Sequence, residues 1–165
     1  MPDHLYNVLF LCSRNSARSI FGEAILKQEG QEKFNAFSAG SEPQDEIHPY
    51  ALDLLRSLKH PLDGLRSKDW QEFAKPRAPK MDFVFTVCDD IAAEVCLVWP
   101  GHPMRAHWGV IDPVAVEGTE AERRLAFAEA YRMLRNRIVA FVNLPISSLD
   151  GPPLSLWRSR EEPGP

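Results

Sequence analysis

The chain has 165 residues, 44% of them hydrophobic and 25% charged, and a formal net charge of -4. Those proportions suit one globular domain with a sizeable core, and the acidic balance excludes the basic footprint that nucleic-acid binding requires. No apolar run approaches the roughly 18 residues that span a bilayer. The opening Met1-Pro2-Asp3-His4 lacks the basic-then-apolar pattern of a secretory signal. A cytoplasmic location is therefore expected, where cysteines tend to be catalytic, redox-active or metal-binding rather than structural. The three cysteines, Cys12, Cys88 and Cys96, are an odd number and a poor disulfide framework.

In chain order, Leu5–Leu11 is a short run of strand formers. Ser19–Glu29 follows with helical spacing, Ile20, Ala24 and Lys27 on one face and Phe21 and Ile25 on the next, and Gly30 as its stop. Phe34–Ala39 reads as a second strand. His48–Leu58 is a helix, with Pro49 in the first turn and Ala51, Leu55 and Leu58 along one side. Asp82–Cys88 is apolar on both faces, as a covered parallel strand should be, and Met104–Trp108 is a short fourth strand. Thr119-Glu120-Ala121-Glu122 is a capping box ahead of a long helix with Leu125, Ala128, Tyr131, Leu134, Ile138 and Phe141 as its apolar stripe. Residues 1–150 are expected to form the catalytic domain. The proline-rich and charged residues 151–165 are expected to form a flexible tail.

Strands alternating with helices predict an α/β fold, a three-layer flavodoxin-like arrangement with a four-stranded parallel sheet in the order 2-1-3-4 and helices on both faces. Ligands of such sheets sit beyond the carboxyl ends of the strands at the switch point of strand order. Cys12 and Cys88 end the first and third strands, which are neighbours in that order, so both thiols are expected to face one crevice.

Cys12-Ser13-Arg14-Asn15-Ser16-Ala17-Arg18-Ser19 has the form C-x5-R-S between a strand and a helix. A tight loop entering a helix N-terminus turns successive N–H groups inward, and the helix dipole adds positive charge there. Arg18 closes the ring with a planar fork of donors that matches a tetrahedral oxyanion. The same field favours the thiolate form of Cys12, the nucleophilic one. Ser19 is placed to hydrogen-bond that thiolate and Asn15 to tie the loop's backbone. Asp112-Pro113 puts a carboxyl group on a stiffened loop, where it can protonate a leaving oxygen.

The loop, together with Ser38-Ala39-Gly40-Ser41-Glu42-Pro43 and Ala106-His107-Trp108-Gly109-Val110-Ile111-Asp112-Pro113, resembles the low-molecular-weight tyrosine phosphatase superfamily and, more narrowly, its bacterial arsenate reductase branch. The likeness runs from about Leu5 to Leu149. It implies that Cys12 is the nucleophile, Arg18 the transition-state clamp and Asp112 the general acid, with residues 13–19 binding arsenate or another phosphate-like oxyanion. It further implies a thiol relay from Cys12 to Cys88 to Cys96, ending in a Cys88–Cys96 disulfide that thioredoxin or the glutathione/glutaredoxin system reduces. No tightly bound cofactor is implied. A monovalent cation near Asn15, Glu23 and Ser38 is suggested by analogy with some relatives.

The alternative is a phosphatase that hydrolyses aryl phosphates through a cysteinyl-phosphate. Phosphatases of this superfamily resemble one another in carrying tyrosine just after the Asp-Pro, whereas Val114 and Ala115 stand here, with Trp108 as a partial substitute. Three departures from the reductase pattern bear on the relay. Arg14 stands where glycine is common, Leu97 follows Cys96 where proline is common, and the Cys88–Cys96 interval is one residue longer than in thioredoxin-linked relatives. A structural zinc site of Cys88, Cys96, His102 and His107 has suitable ligand types but lacks the short two-cysteine knuckle of such sites.

Overall fold

A computed structural model describes residues 5–12, 14, 17–30, 33–40, 46–73, 77–87 and 104–144. Its strands β1 (Tyr6–Cys12), β2 (Phe34–Gly40), β3 (Phe83–Thr86) and β4 (Met104–His107) form one parallel sheet in the order β2-β1-β3-β4. This is the α/β topology that the alternation of elements predicts. Both faces of the central strands are covered: Val8, Leu9, Phe10 and Leu11 in β1 and Val84 and Phe85 in β3 are all buried, which is why these strands read as unbroken apolar runs.

Helix α1 (Arg18–Glu29) packs against β1 and β2, and α3 (Glu120–Val142) packs against α1 and, through Phe141, the sheet. Helix α2 (Pro49–Ser57) lies on α1 and α3. His48 caps α2 with its Nδ1, which accepts from the Tyr50 N–H at 3.1 Å. The capping box at Thr119 and Glu122 is fully formed. On the opposite face of β2, the short 3-10 turn Trp70–Phe73 brings Phe73 against Phe37.

Aromatic rings fill the space between the sheet and α3. Phe141 meets Phe34, Phe83 and Phe85 at centroid distances of 4.9–5.1 Å, and Trp108 stacks on Phe85 at 4.0 Å. Under α1 the packing is closer still. A Cβ on Gly22 would lie 2.6 Å from Phe10 Cγ, so only glycine lets the helix backbone approach this ring.

Parts of the helical patterning are corrected: Leu58, read with Ala51 and Leu55 along one side of α2, is the C-cap of that helix and 43% exposed. Leu125 is 61% exposed, and the buried stripe of α3 is Phe127, Ala130, Leu134, Ile138 and Phe141. At about 100° per residue, Leu125 lies half a turn away from Leu134, whereas Phe127 falls almost in line with it. Lys27 in α1 is likewise exposed and pairs with Glu23 at 2.8 Å. The tail beyond residue 150 lies outside the described residues.

Candidate active site

Cys12 is the last residue of β1, in register with Gly40 at the end of β2. Its side chain is 3% exposed, and its Sγ lies 2.9 Å from the Ser19 Oγ in the first turn of α1. Helix α1 starts with no side-chain cap on Ala17 and no acidic residue in its first turn. The helix's own sequence therefore leaves its positive end uncompensated beside the thiol.

Arg18, the first residue of α1, reaches across the end of the sheet. Its Nη1 donates to the Val110 carbonyl at 3.0 Å and, at 3.5 Å, to that of Val87, while Nη2 faces Asp112 Oδ2 at 3.5 Å. One guanidinium thus ties together α1, the end of β3 and the segment after β4. Asp112 is held from the other side as well, because its Oδ1 accepts from the Val114 N–H at 3.0 Å and starts the 3-10 turn Pro113–Ala115. Cys12, Ser19, Arg18 and Asp112 therefore gather at the carboxyl end of the sheet. This is where the switch in strand order opens a crevice.

The other site residues fall as follows. Arg14 is exposed, and its carbonyl accepts from Ser67 Oγ at 3.2 Å; Ala17 is buried. Ser13, Asn15, Ser16, Cys88 and Cys96 lie outside the described residues, as does His102. Trp108 is not available to form a substrate wall: it is 2% exposed, and its ring is part of the aromatic core. The alternation along β4 turns it inward and away from the crevice. His107 pairs through Nδ1 with Thr86 Oγ1 at 2.8 Å, and no group of metal-ligating side chains assembles among the described residues.

Sequence reasoning missed Lys68. Its ammonium is buried beside Glu23 and Ser38, two of the three residues considered for a monovalent cation, with Nζ 3.6 Å from Glu23 Oε1 and 3.4 Å from Ser38 Oγ. Ser38 Oγ also donates to Glu23 Oε1 at 2.6 Å. Burial lowers the Lys68 pKa, and the Glu23 carboxylate opposes that shift. Nothing in the local pattern Arg66-Ser67-Lys68-Asp69 marks this lysine, because its partners come from α1 and β2.

The sequence of residues 7–149 matches the family model described as low molecular weight phosphotyrosine protein phosphatase. The chain belongs to that family. Among curated relatives, an arsenate reductase of Oceanobacillus iheyensis is 33% identical over 134 residues, covering 81% of this chain and 93% of the relative. The fold is shared with a solved arsenate reductase in a phosphate-binding state, with a TM-score of 0.68, 22% identity and coverage of 84% of this chain and 97% of the other. It is shared also with a tyrosine phosphatase of Erwinia amylovora, with a TM-score of 0.63, 20% identity and coverage of 85% and 93%. The phosphatase-family fold therefore hosts both chemistries. No helix among the described residues is long and apolar enough to cross a membrane.

Proposed function

We propose that this protein reduces arsenate to arsenite with Cys12 as nucleophile. The observation that carries the reading is the Cys12–Ser19 pair at the uncapped start of α1, with Arg18 anchored beside it. Likeness to a curated arsenate reductase over most of both chains supports the choice of substrate.

The Ser19 hydroxyl lies 2.9 Å from the Cys12 sulfur, and the positive end of α1 adjoins the nucleophile. An arsenate ion entering the loop competes with Asp112 for the Arg18 fork and takes over its donors. Cys12 then attacks arsenic, an As–S bond forms, and one arsenate oxygen leaves as water with a proton from Asp112 or solvent. Cys88 attacks the Cys12 sulfur next. The S–S bond forms as the As–S bond breaks, and its electron pair stays on arsenic, which departs as arsenite. Cys96 attacks Cys88, restores the Cys12 thiolate and leaves a Cys88–Cys96 disulfide. Two thiols lose two electrons and two protons, and arsenate gains both to give arsenite and water. A dithiol donor, thioredoxin or the glutathione/glutaredoxin system, resets the pair.

The sheet register supports the second step. Val87 donates its N–H to the Leu11 carbonyl at 2.9 Å, so the chain positions just before Cys88 and Cys12 run side by side. Parallel neighbours lie about 4.8 Å apart, and a disulfide requires α-carbons within roughly 7 Å. Against the phosphatase alternative, the Asp112 side of the crevice carries no aromatic ring at Val114 or Ala115. Ile111 is the exposed apolar side chain there.

The test is arsenate turnover with the thioredoxin and glutaredoxin systems in turn, run beside aryl phosphate hydrolysis. Cys12→Ser should lose every activity, since a hydroxyl is a far weaker nucleophile at neutral pH. Cys88→Ser should lose multiple-turnover reduction and keep any hydrolysis. Rapid hydrolysis without arsenate turnover in the unaltered protein would make it a phosphatase.

A further inference from the structure

The buried polar cluster beneath the oxyanion loop has a design of its own. Glu23, in the middle of α1, is 4% exposed, and Lys68 is 6% exposed. A carboxylate at such depth requires a cation and hydrogen-bond donors around it. Lys27 serves Oε2 from the helix surface at 2.8 Å, while Oε1 is served by Ser38 and Lys68. Among the described contacts of the Lys68 ammonium are the Glu23 carboxylate, the Ser38 hydroxyl at 3.4 Å and the Arg66 carbonyl, to which it donates at 2.5 Å.

This cluster is joined to the site through the backbone of the segment that carries Lys68. The Lys68 carbonyl accepts from the Gly40 N–H at 2.9 Å, and Asp69 forms a parallel bridge with Gly40. Gly40 is the register partner of Cys12. One residue before Lys68, Ser67 donates to the Arg14 carbonyl inside the oxyanion loop. The segment 66–69 is thus a brace between the end of β2 and the loop, and the Lys68 ammonium is what pins it to α1.

We propose that Lys68 is a positioning residue whose ammonium acts as a built-in monovalent cation, bracing the oxyanion loop and making the protein independent of any bound ion. The Glu23, Ser38 and Arg66 oxygens near Nζ are hard donors suited to a small monovalent cation if the lysine head group is removed. The ammonium ion is that head group without its stem, and potassium carries the same charge. The inference requires an oxyanion loop at Cys12–Arg18 but not the reductase chemistry, and the readout is chosen accordingly.

The experiment measures inorganic phosphate binding by calorimetry, and thermal stability, for the full chain in choline, ammonium or potassium chloride at equal ionic strength. Wild-type protein should behave identically in all three salts. Lys68→Ala should bind phosphate about tenfold or more weakly in choline, as is typical when the support of a binding group is removed, and ammonium or potassium should restore most of the loss. Lys68→Met should show the same loss without the rescue, because its side chain fills the space without a charge. Glu23→Gln added to Lys68→Ala should abolish the rescue. If the alanine variant folds only in ammonium or potassium, the proposal is supported in a stronger form. Wild-type binding that itself rises with potassium overturns the proposal, as does wild-type affinity in choline for the alanine or methionine variant, or a loss in the alanine variant that neither ion restores. If the alanine variant folds in none of the salts, affinity of the methionine variant decides: a wild-type value overturns the proposal, and a loss unchanged by salt supports it. Absence of phosphate binding in wild type would instead refute the oxyanion site, a different failure.

Discussion

The α3 face of the sheet and its carboxyl end are held by different physics. Towards α3, Phe34, Phe83, Phe85, Trp108 and Phe141 form one network of rings in which Phe141 meets the other four. At the carboxyl end, single polar contacts carry the structure: Arg18 to Val110, Asp112 to Val114, Ser67 to Arg14, Lys68 to Ser38. Apolar packing is non-directional and redundant, so a loss there is felt as stability. Each polar contact at the site has one geometry and few substitutes, so a loss there is felt as function. A protein divided this way should yield substitutions that affect one property and spare the other.

The largest effect should come from Arg18→Lys. A point charge cannot serve two carbonyls and an oxyanion in one plane, and loss of such a clamp lowers turnover by about 10²–10³-fold. Steady-state kinetics beside a urea melt would check this, and a near-normal turnover number would reduce Arg18 to a fold residue. On the α3 face, Phe141→Ala should cost about 3–5 kcal/mol, with phosphate affinity of the folded fraction unchanged. A comparable loss of affinity would erase the distinction between the two regions.

Gly22→Ala tests where the two regimes meet, since α1 belongs to both. The added methyl group would be driven into Phe10, and overpacking of this kind costs about 1–3 kcal/mol. Because α1 also carries Arg18 and Ser19, phosphate affinity should weaken together with the melting temperature. Stability lost without any change in affinity would mean that helix and loop are mechanically separate.

The smallest effect concerns pH. His48 and His60 both have pKa values lowered from 6.5, chiefly by burial; Arg123 adds to this at His48, and Glu29 partly opposes it at His60. In the unfolded chain these rings take up protons near pH 6.5, while in the folded chain they do so only at lower pH. Their contribution to stability is therefore complete above the unfolded value and is lost as pH falls through the folded values. His48→Asn keeps a side-chain acceptor for the Tyr50 N–H and removes one titration. The variant's melting temperature should fall less than that of wild type between neutral and mildly acid pH, and parallel curves would mean that His48 titrates as it does in the unfolded chain.

Much of this was legible in the sequence where the signal is local. The C-x5-R-S spacing placed Cys12 at a strand end and Arg18 at a helix start, and Thr119 with Glu122 announced α3. Failures came where a partner is distant in sequence. The spacing of Leu125 suits the core in the sequence alone, and only the burial of Phe127 and Leu134 fixes which side of α3 faces inward. Trp108 looked like a rim residue because nothing nearby reveals that Phe85 would stack on it. Lys68 resembled any surface lysine, since only the folded chain brings it to Glu23 and Ser38.

The contact between Gly22 and Phe10 has a bearing on motion. A helix seated that closely on a strand has no room to slide or roll, so α1 holds Arg18 and Ser19 stationary while substrate comes and goes. Adaptation then falls to what faces the guanidinium from across the crevice. The Asp112–Val116 turn there is fastened by two backbone hydrogen bonds of 3.3 Å and one side-chain cap. In a relaxation-dispersion experiment, exchange on the microsecond-to-millisecond scale should be concentrated in those residues and quenched by phosphate, with α1 silent throughout.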